Sequence, residues 1–289
     1  MSKPRFLELP PAVRRTVIDT ARGRFAALEA VPVGVPERCP ALLVPGYTGS
    51  KEDFLGTLQT LSRAGRRVVA IDLRGQYETD GPDTPEAYTC GALGSDIGAL
   101  LRALGPEPVH LVGHSFGGLV TREAVLADPA AVHSLTLMSS GPAAISGHSA
   151  LRAGALRDAL AQLTMEQIWD LSLGPEAHSA GVEAEIVAFL RERSVRNSVA
   201  GLIAMATELV SCPDRVEELA KVADDVDLPI MVLYGEDDDA WDPREQASMA
   251  VRLEADRVVI PGAAHSPAWE APETTAHALT GFWNTAERR

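Results

Sequence analysis

The sequence predicts an α/β protein, a mostly parallel sheet flanked by helices and interrupted once by a helical insertion. Three observations carry this. Short runs rich in Val, Ile and Leu recur along the chain, apolar throughout rather than alternating, as strands covered on both faces are. Longer segments with helical spacing stand between them, and that alternation belongs to parallel pairing. Finally, from about residue 144 to 226 no strand-like run occurs. About 80 residues of helical text cannot be a plain loop.

Taken in order, Thr16–Thr20 and Arg24–Ala30 read as a leading antiparallel pair at one sheet edge. Ala41–Val44 is the next strand and Lys51–Ala64 the next helix. Ser50-Lys51-Glu52-Asp53 starts that helix like a capping box, with a hydroxyl for the orphan N–H groups and a carboxylate three residues on. Arg67–Leu73, Val109–Val112 and Ser134–Met138 follow as strands, with helices at Leu93–Leu104 and Gly117–Ala127. Gly141-Pro142 opens the insertion, which is helical at Leu151–Leu163, Glu183–Arg193, Val199–Val210 and Arg215–Ala223; Leu228-Pro229 closes it. Pro229–Tyr234 and Arg257–Ile260 complete the strands. Helices follow at Arg244–Leu253, entered through Asp242-Pro243, and at Thr274–Trp283. The organisation expected is a core of residues 1–143 and 227–289 with a cap of 144–226, set over the strand ends where parallel sheets place their sites.

A chain of 289 residues buries roughly 75% of the surface its unfolded form exposes, so no metal or disulfide is required to hold its core. The net charge is −14, which opposes a nucleic-acid partner. The densest basic run, Arg191, Arg193 and Arg196, reads as a solvated helix face. Cys39, Cys90 and Cys212 are far apart and form no CxxC, so neither a disulfide framework nor a zinc or other metal site is expected. No apolar run approaches the ~18 residues of a membrane helix, and the N-terminal residues lack a leader-like apolar stretch. The expectation is a cytoplasmic protein acting on a small molecule, with no membrane or nucleic-acid partner and no statement on oligomeric state.

The chemistry is concentrated at Gly113-His114-Ser115-Phe116-Gly117, which links the strand Val109–Val112 to a helix. Gly-x-Ser-x-Gly in that setting is a nucleophile elbow. The serine is pushed up from the sheet in a strained turn, the glycines let strand and helix pass closely, and the helix N-terminus faces a developing oxyanion. His114 reads as packing, its side chain turned away from Ser115. A serine needs a base. With the order serine, acid, histidine, the choices are His148, His178, His265 and His277. The first two fall in or beside the insertion and His277 lies mid-helix. His265 follows the strand ending at Ile260 through a short loop, at the correct edge. For the acid, the strand Ser134–Met138 is followed by no carboxylate through Ala150, whereas Tyr234 is followed by Gly235-Glu236-Asp237-Asp238-Asp239.

On Val44-Pro45-Gly46-Tyr47, Asp72-Leu73-Arg74-Gly75, the elbow, Gly235–Asp238 and Gly262–His265, the chain resembles the α/β-hydrolase family, in particular its cap-bearing, esterase-like members. The resemblance covers about residues 24–283. It implies a catalytic triad of Ser115, Asp238 and His265, because the family's Gly-x-x-Asp pattern lands on Asp238, 27 residues before the histidine. The proline that usually follows arrives one position late, at Pro243, which keeps Asp239 as the alternative acid. It further implies oxyanion donors at the backbone N–H groups of Tyr47 and Phe116. The run from Gln76 to Glu78 is more polar than in many relatives and reads as a structural turn at the crevice edge.

The function expected is a serine hydrolase for an ester, thioester or lactone, working through an acyl-enzyme without a cofactor. Pocket walls are expected from Trp169, Met205, Trp241 and Trp269, besides Tyr47 and Phe116. Alternatives on the same triad are carbon–carbon bond hydrolysis and a cofactor-free peroxidase-like reaction; a non-enzymatic ligand receptor is the alternative of another class. Epoxide and haloalkane hydrolysis are disfavoured, because those relatives place Asp where Ser115 stands.

Overall fold

Two antiparallel strands lead the chain, β1 (Val13–Thr20) and β2 (Gly23–Ala30), paired residue for residue from Val13↔Ala30 to Thr20↔Gly23. The computed structural model describes residues 3–35 and 37–289. From β3 onward, strands and helices alternate: β3 (Arg38–Val44), α1 (Leu55–Arg63), β4 (Arg66–Ile71), α2 (Cys90–Leu104), β5 (Val109–His114), α3 (Phe116–Ala127) and β6 (Val132–Met138). The insertion carries α4 (Gly147–Leu160), α5 (Met165–Ile168), a π-helical turn over Trp169–Leu173, α6 (Gly174–Ser179), α7 (Ala184–Arg196) and α8 (Val199–Ser211). There follow α9 (Val216–Val226), β7 (Ile230–Gly235), α10 (Pro243–Arg252), β8 (Asp256–Ile260), α11 (Pro267–Glu270) and α12 (Pro272–Ala286).

Among the described residues the strands form one sheet, in the order β1-β2-β4-β3-β5-β6-β7-β8. The hairpin joins antiparallel through β2 and β4; from β4 to β8 all pairing is parallel. β5 and β7 are buried at every residue, which explains why they read as unbroken apolar runs. Leu42, Val44 and Leu111 face one layer with residues of α2, α3, α9 and α10. Ala41, Leu43 and Val112 face the other, with α1 and α12, where Trp283 is fully buried. Among the described residues, no helix is long and apolar enough to cross a membrane.

The structure differs from the sequence reading at the insertion's far end. The backbone closes on itself at the neck, where the Ala144 N–H donates to the Cys212 carbonyl at 2.8 Å and the Ile145 N–H to the Leu209 carbonyl at 2.9 Å. α9, read above as part of the cap, lies beyond this neck. Its Val216, Leu219 and Ala223 pack in the same layer as Val120 and Ala124 of α3, so it is the crossover helix that carries the chain back to β7.

Buried charges seat the insertion on the core. Ser50–Asp53 forms the expected capping box but is wholly buried, and Asp53 accepts a 2.8 Å ion pair from Arg193 of α7. Arg193 is therefore no member of a solvated face; only Arg191 and Arg196 of that run are exposed. Beside it, the Lys51 ammonium lies 2.8 Å from Asp72, 3.2 Å from Glu52 and 2.6 Å from Glu78, which together keep it protonated in spite of its burial. The Ser198 N–H at the start of α8 donates to Gly75 at 2.8 Å, and Glu208 accepts from the Cys90 N–H at 2.7 Å.

Candidate active site

β5 ends at His114 and the chain turns into α3 through Ser115, whose φ of 56° and ψ of −123° lie outside the regions comfortable for an L-residue. Its N–H donates to the Met138 carbonyl at 2.8 Å, a bond that ties the turn to the end of β6. Close approach explains the glycines: a side-chain carbon at Gly117 would sit 2.5 Å from the Pro45 carbonyl oxygen, and one at Gly46 only 2.8 Å from the Ser115 Cβ. The loop after β3 and the elbow thus touch backbone to backbone.

Loops from three strand ends meet there. The Ser115 Oγ lies 2.9 Å from His265 Nε2, and His265 Nδ1 lies 2.9 Å from Asp238 Oδ1. Asp238 is buried and also accepts the Ala240 N–H at 2.9 Å and the Gln246 side-chain amide at 2.9 Å. Burial alone would raise its pKa; the hydrogen bond and charge of His265, with the other two donors, hold it below the ordinary carboxylate value. An ionised Asp238 only accepts, which fixes the proton on Nδ1 and leaves Nε2 free to accept from Ser115. Asp239, one residue on, is exposed, and its carbonyl accepts from the Ser149 hydroxyl. Of the two rival acids, Asp238 is the one beside His265.

Gln76 sets the loop opposite. Its amide donates to the Gly46 carbonyl at 2.9 Å while its oxygen accepts the Leu73 N–H at 3.1 Å, so the crevice-edge turn clamps the segment that carries Tyr47. Phe116 opens α3, where the first N–H groups have no intrahelical acceptor.

Two roles escaped the sequence. Gln246, inside α10, aims at Asp238, and nothing in its local pattern marks it. His114 does not simply pack away. Its Nε2 lies 2.7 Å from the His265 carbonyl, its ring 5.1 Å from the His265 ring, and it reaches the cavity wall. Burial, reinforced by His265, pushes its pKa down to about 3, so the neutral ring donates to that carbonyl.

Above the elbow lies a cavity of about 830 Å³. Tyr47, Trp169, Trp241 and Trp269 line it as expected, joined by Leu156 and Leu209. The π-helical turn presents Trp169 and Leu173 to it. Met205 is a correction: it is fully buried within the main core cluster, and Leu202 and Leu209 of α8 reach the cavity instead. The Tyr47 hydroxyl and the Trp269 Nε1 are buried without a hydrogen-bond partner among the described residues, two polar atoms on a largely apolar wall.

The family model for the alpha/beta hydrolase fold matches residues 40–272. Epoxide hydrolase 3 of Siraitia grosvenorii is 35% identical over 98 residues, 34% of this chain and 31% of that protein. This chain thus matches about a third of the length of that relative. The sn-1-specific diacylglycerol lipase of Mus musculus is 26% identical over 255 residues, 84% of this chain and 80% of that one. Among solved structures, a thermophilic esterase from Thermogutta terrifontis superposes with a TM-score of 0.74 at 22% identity, over 94% of this chain and 99% of the other. At that identity the likeness is one of fold.

Proposed function

Because the chain belongs to the α/β-hydrolase family, we propose that it is a serine hydrolase cleaving a carboxylic ester, thioester or lactone of an uncharged, largely apolar small molecule. The observation that carries this reading is the unbroken hydrogen-bonded line from Ser115 through His265 to Asp238, opening into an apolar cavity. Ser115 attacks the substrate carbonyl while His265 Nε2 takes its proton. The Tyr47 and Phe116 N–H groups receive the oxyanion, and Asp238 stabilises the imidazolium. His265 then protonates the leaving group, and the acyl-enzyme remains on Ser115. Water, deprotonated by His265, releases the acid and restores the serine.

The helical insertion acts in this reading as a cap that shapes the acyl pocket through Trp169, Leu173 and Leu209, with no group of its own in the chemistry. The cavity volume suits a drug-sized substrate. Serine also argues against the epoxides named for one relative. Opening an epoxide with a serine oxygen would leave an ether, which histidine-activated water does not cleave, whereas an acyl ester on serine is cleaved by the same histidine.

The test is a panel of p-nitrophenyl esters of increasing chain length, with a fluorophosphonate probe alongside. Ser115→Ala is expected to lose ester turnover by roughly 10⁴-fold or more and to lose probe labelling, with its circular dichroism intact. Turnover retained in that variant would refute the reading.

A further inference from the structure

At the opposite end of the central strands, we propose a transition-metal site of one sulfur and two imidazoles, formed by Cys39, His110 and His133. The three residues stand near the N-terminal ends of neighbouring strands β3, β5 and β6. Register brings them together. His110 pairs with Ala41, two residues after Cys39. His133 sits where the β5–β6 register slips between Val109↔Val132 and His110↔Ser134, an irregularity of the kind that re-aims a side chain. One ligand atom from each of the three residues lies within 4.8 Å of the other two. The two imidazole rings meet edge to face at 5.0 Å.

Two further observations point to a ligand. The His133 Nε2 is buried and has no hydrogen-bond partner among the described residues, and such an atom is costly unless something meets it. Ser134 Oγ, 2.7 Å from Nδ1, and Trp283, stacked at 5.1 Å and 14°, hold the His110 ring as outer partners hold a metal-bound histidine; the ion would bind Nε2 and there replace Glu287 Oε1, which now lies 3.2 Å away. Three protein ligands leave one tetrahedral position for water.

The donor set names the ion. Sulfur with imidazole selects Zn²⁺ or a neighbouring first-row ion and rejects Mg²⁺ and Ca²⁺, which want oxygen. Binding converts the Cys39 thiol to a coordinated thiolate and releases one proton to solvent. The coordinated dication then keeps one net positive charge. His110 and Ser115 are five residues apart on one extended strand, roughly 16 Å, so the ion would tie β3, β5 and β6 together without touching the elbow. The inference stands whether or not Ser115 is a nucleophile.

The experiment uses untagged, chelator-treated full-length protein, titrated with ZnCl₂ by calorimetry and with CoCl₂ by absorption. One equivalent of each ion is expected, with a thiolate-to-cobalt charge-transfer band and visible bands of tetrahedral Co²⁺. Cys39→Ser should abolish the charge-transfer band and weaken Zn²⁺ binding beyond the roughly 10–100-fold that loss of an outer partner costs. His133→Gln, at a partly exposed position, should weaken it likewise and serves if the cysteine variant does not fold. Ester turnover should be unchanged in both. Absence of stoichiometric binding, or binding that survives both substitutions, would overturn the proposal.

Discussion

The two ends of the sheet use the same strands and similar side chains, yet they are assembled differently. At the C-terminal end, β5, β7 and β8 stop, and loops carry Ser115, Asp238 and His265 around a cavity. At the N-terminal end, Cys39, His110 and His133 stay on the strands themselves, roofed by Trp283 of α12. β5 alone shows the contrast. It buries a histidine near each end, and burial pushes both His110 and His114 down to about 3. His114 bonds to the backbone carbonyl of His265 in a loop, whereas His110 is stacked and bonded within packed structure. Loops place groups around space; strands place them against one another.

The contrast breaks most sharply in turnover. Asp238→Asn should lower kcat for an ester by about 10⁴-fold, as loss of a triad acid does, and Asp239→Asn by no more than a few-fold. A greater loss at Asp239 would move the acid by one residue. Next in size is stability at the upper end, where the insertion is seated. Arg193→Met leaves Asp53 buried without its ion-pair partner, at a cost of about 3–5 kcal/mol in urea unfolding, and Asp53→Asn in the same chain should recover part of it. No recovery would mean that the pair does not seat α7. The smallest effect separates the two histidines by pH. With a folded pKa of about 3 against an ordinary 6.5, the unfolded chain binds more protons in that window. Stability therefore falls as pH drops below 6.5, by at most about 1.4 kcal/mol per pH unit for each histidine. His114→Gln keeps a donor for the His265 carbonyl and should remove one of these two contributions; an unchanged slope would assign the whole loss elsewhere.

Legibility in the sequence follows the same division. The elbow, the Gly235–Asp238 turn and the Gly262–His265 loop are short contiguous segments, so residue type and spacing carry their geometry. Gln246 and His114 act across the fold on Asp238 and His265, and no local pattern marks them. Arg193 was misread because a charged residue on an amphipathic helix resembles a solvated one until its buried carboxylate is found in another element. Met205 shares the face of α8 that carries Leu202 and Leu209, but it is packed within the core and only those two reach the cavity, a difference that helical spacing does not show. Cys39, His110 and His133 have no shared spacing at all, since three strands contribute one residue each.

The neck at Ala144 and Cys212 has a consequence for how such a chain can diversify. The insertion leaves and rejoins within one hydrogen bond, so its two ends are already adjacent whatever lies between them. Loop-closure entropy grows only by about 0.6 kcal/mol for each doubling of length. Helices between the neck residues can therefore be exchanged, lengthened or trimmed at small topological cost, while β6, α9 and β7 keep their places. Grafting a foreign helical segment between residues 144 and 212 would replace the walls that the insertion gives the cavity and leave the sheet as it is.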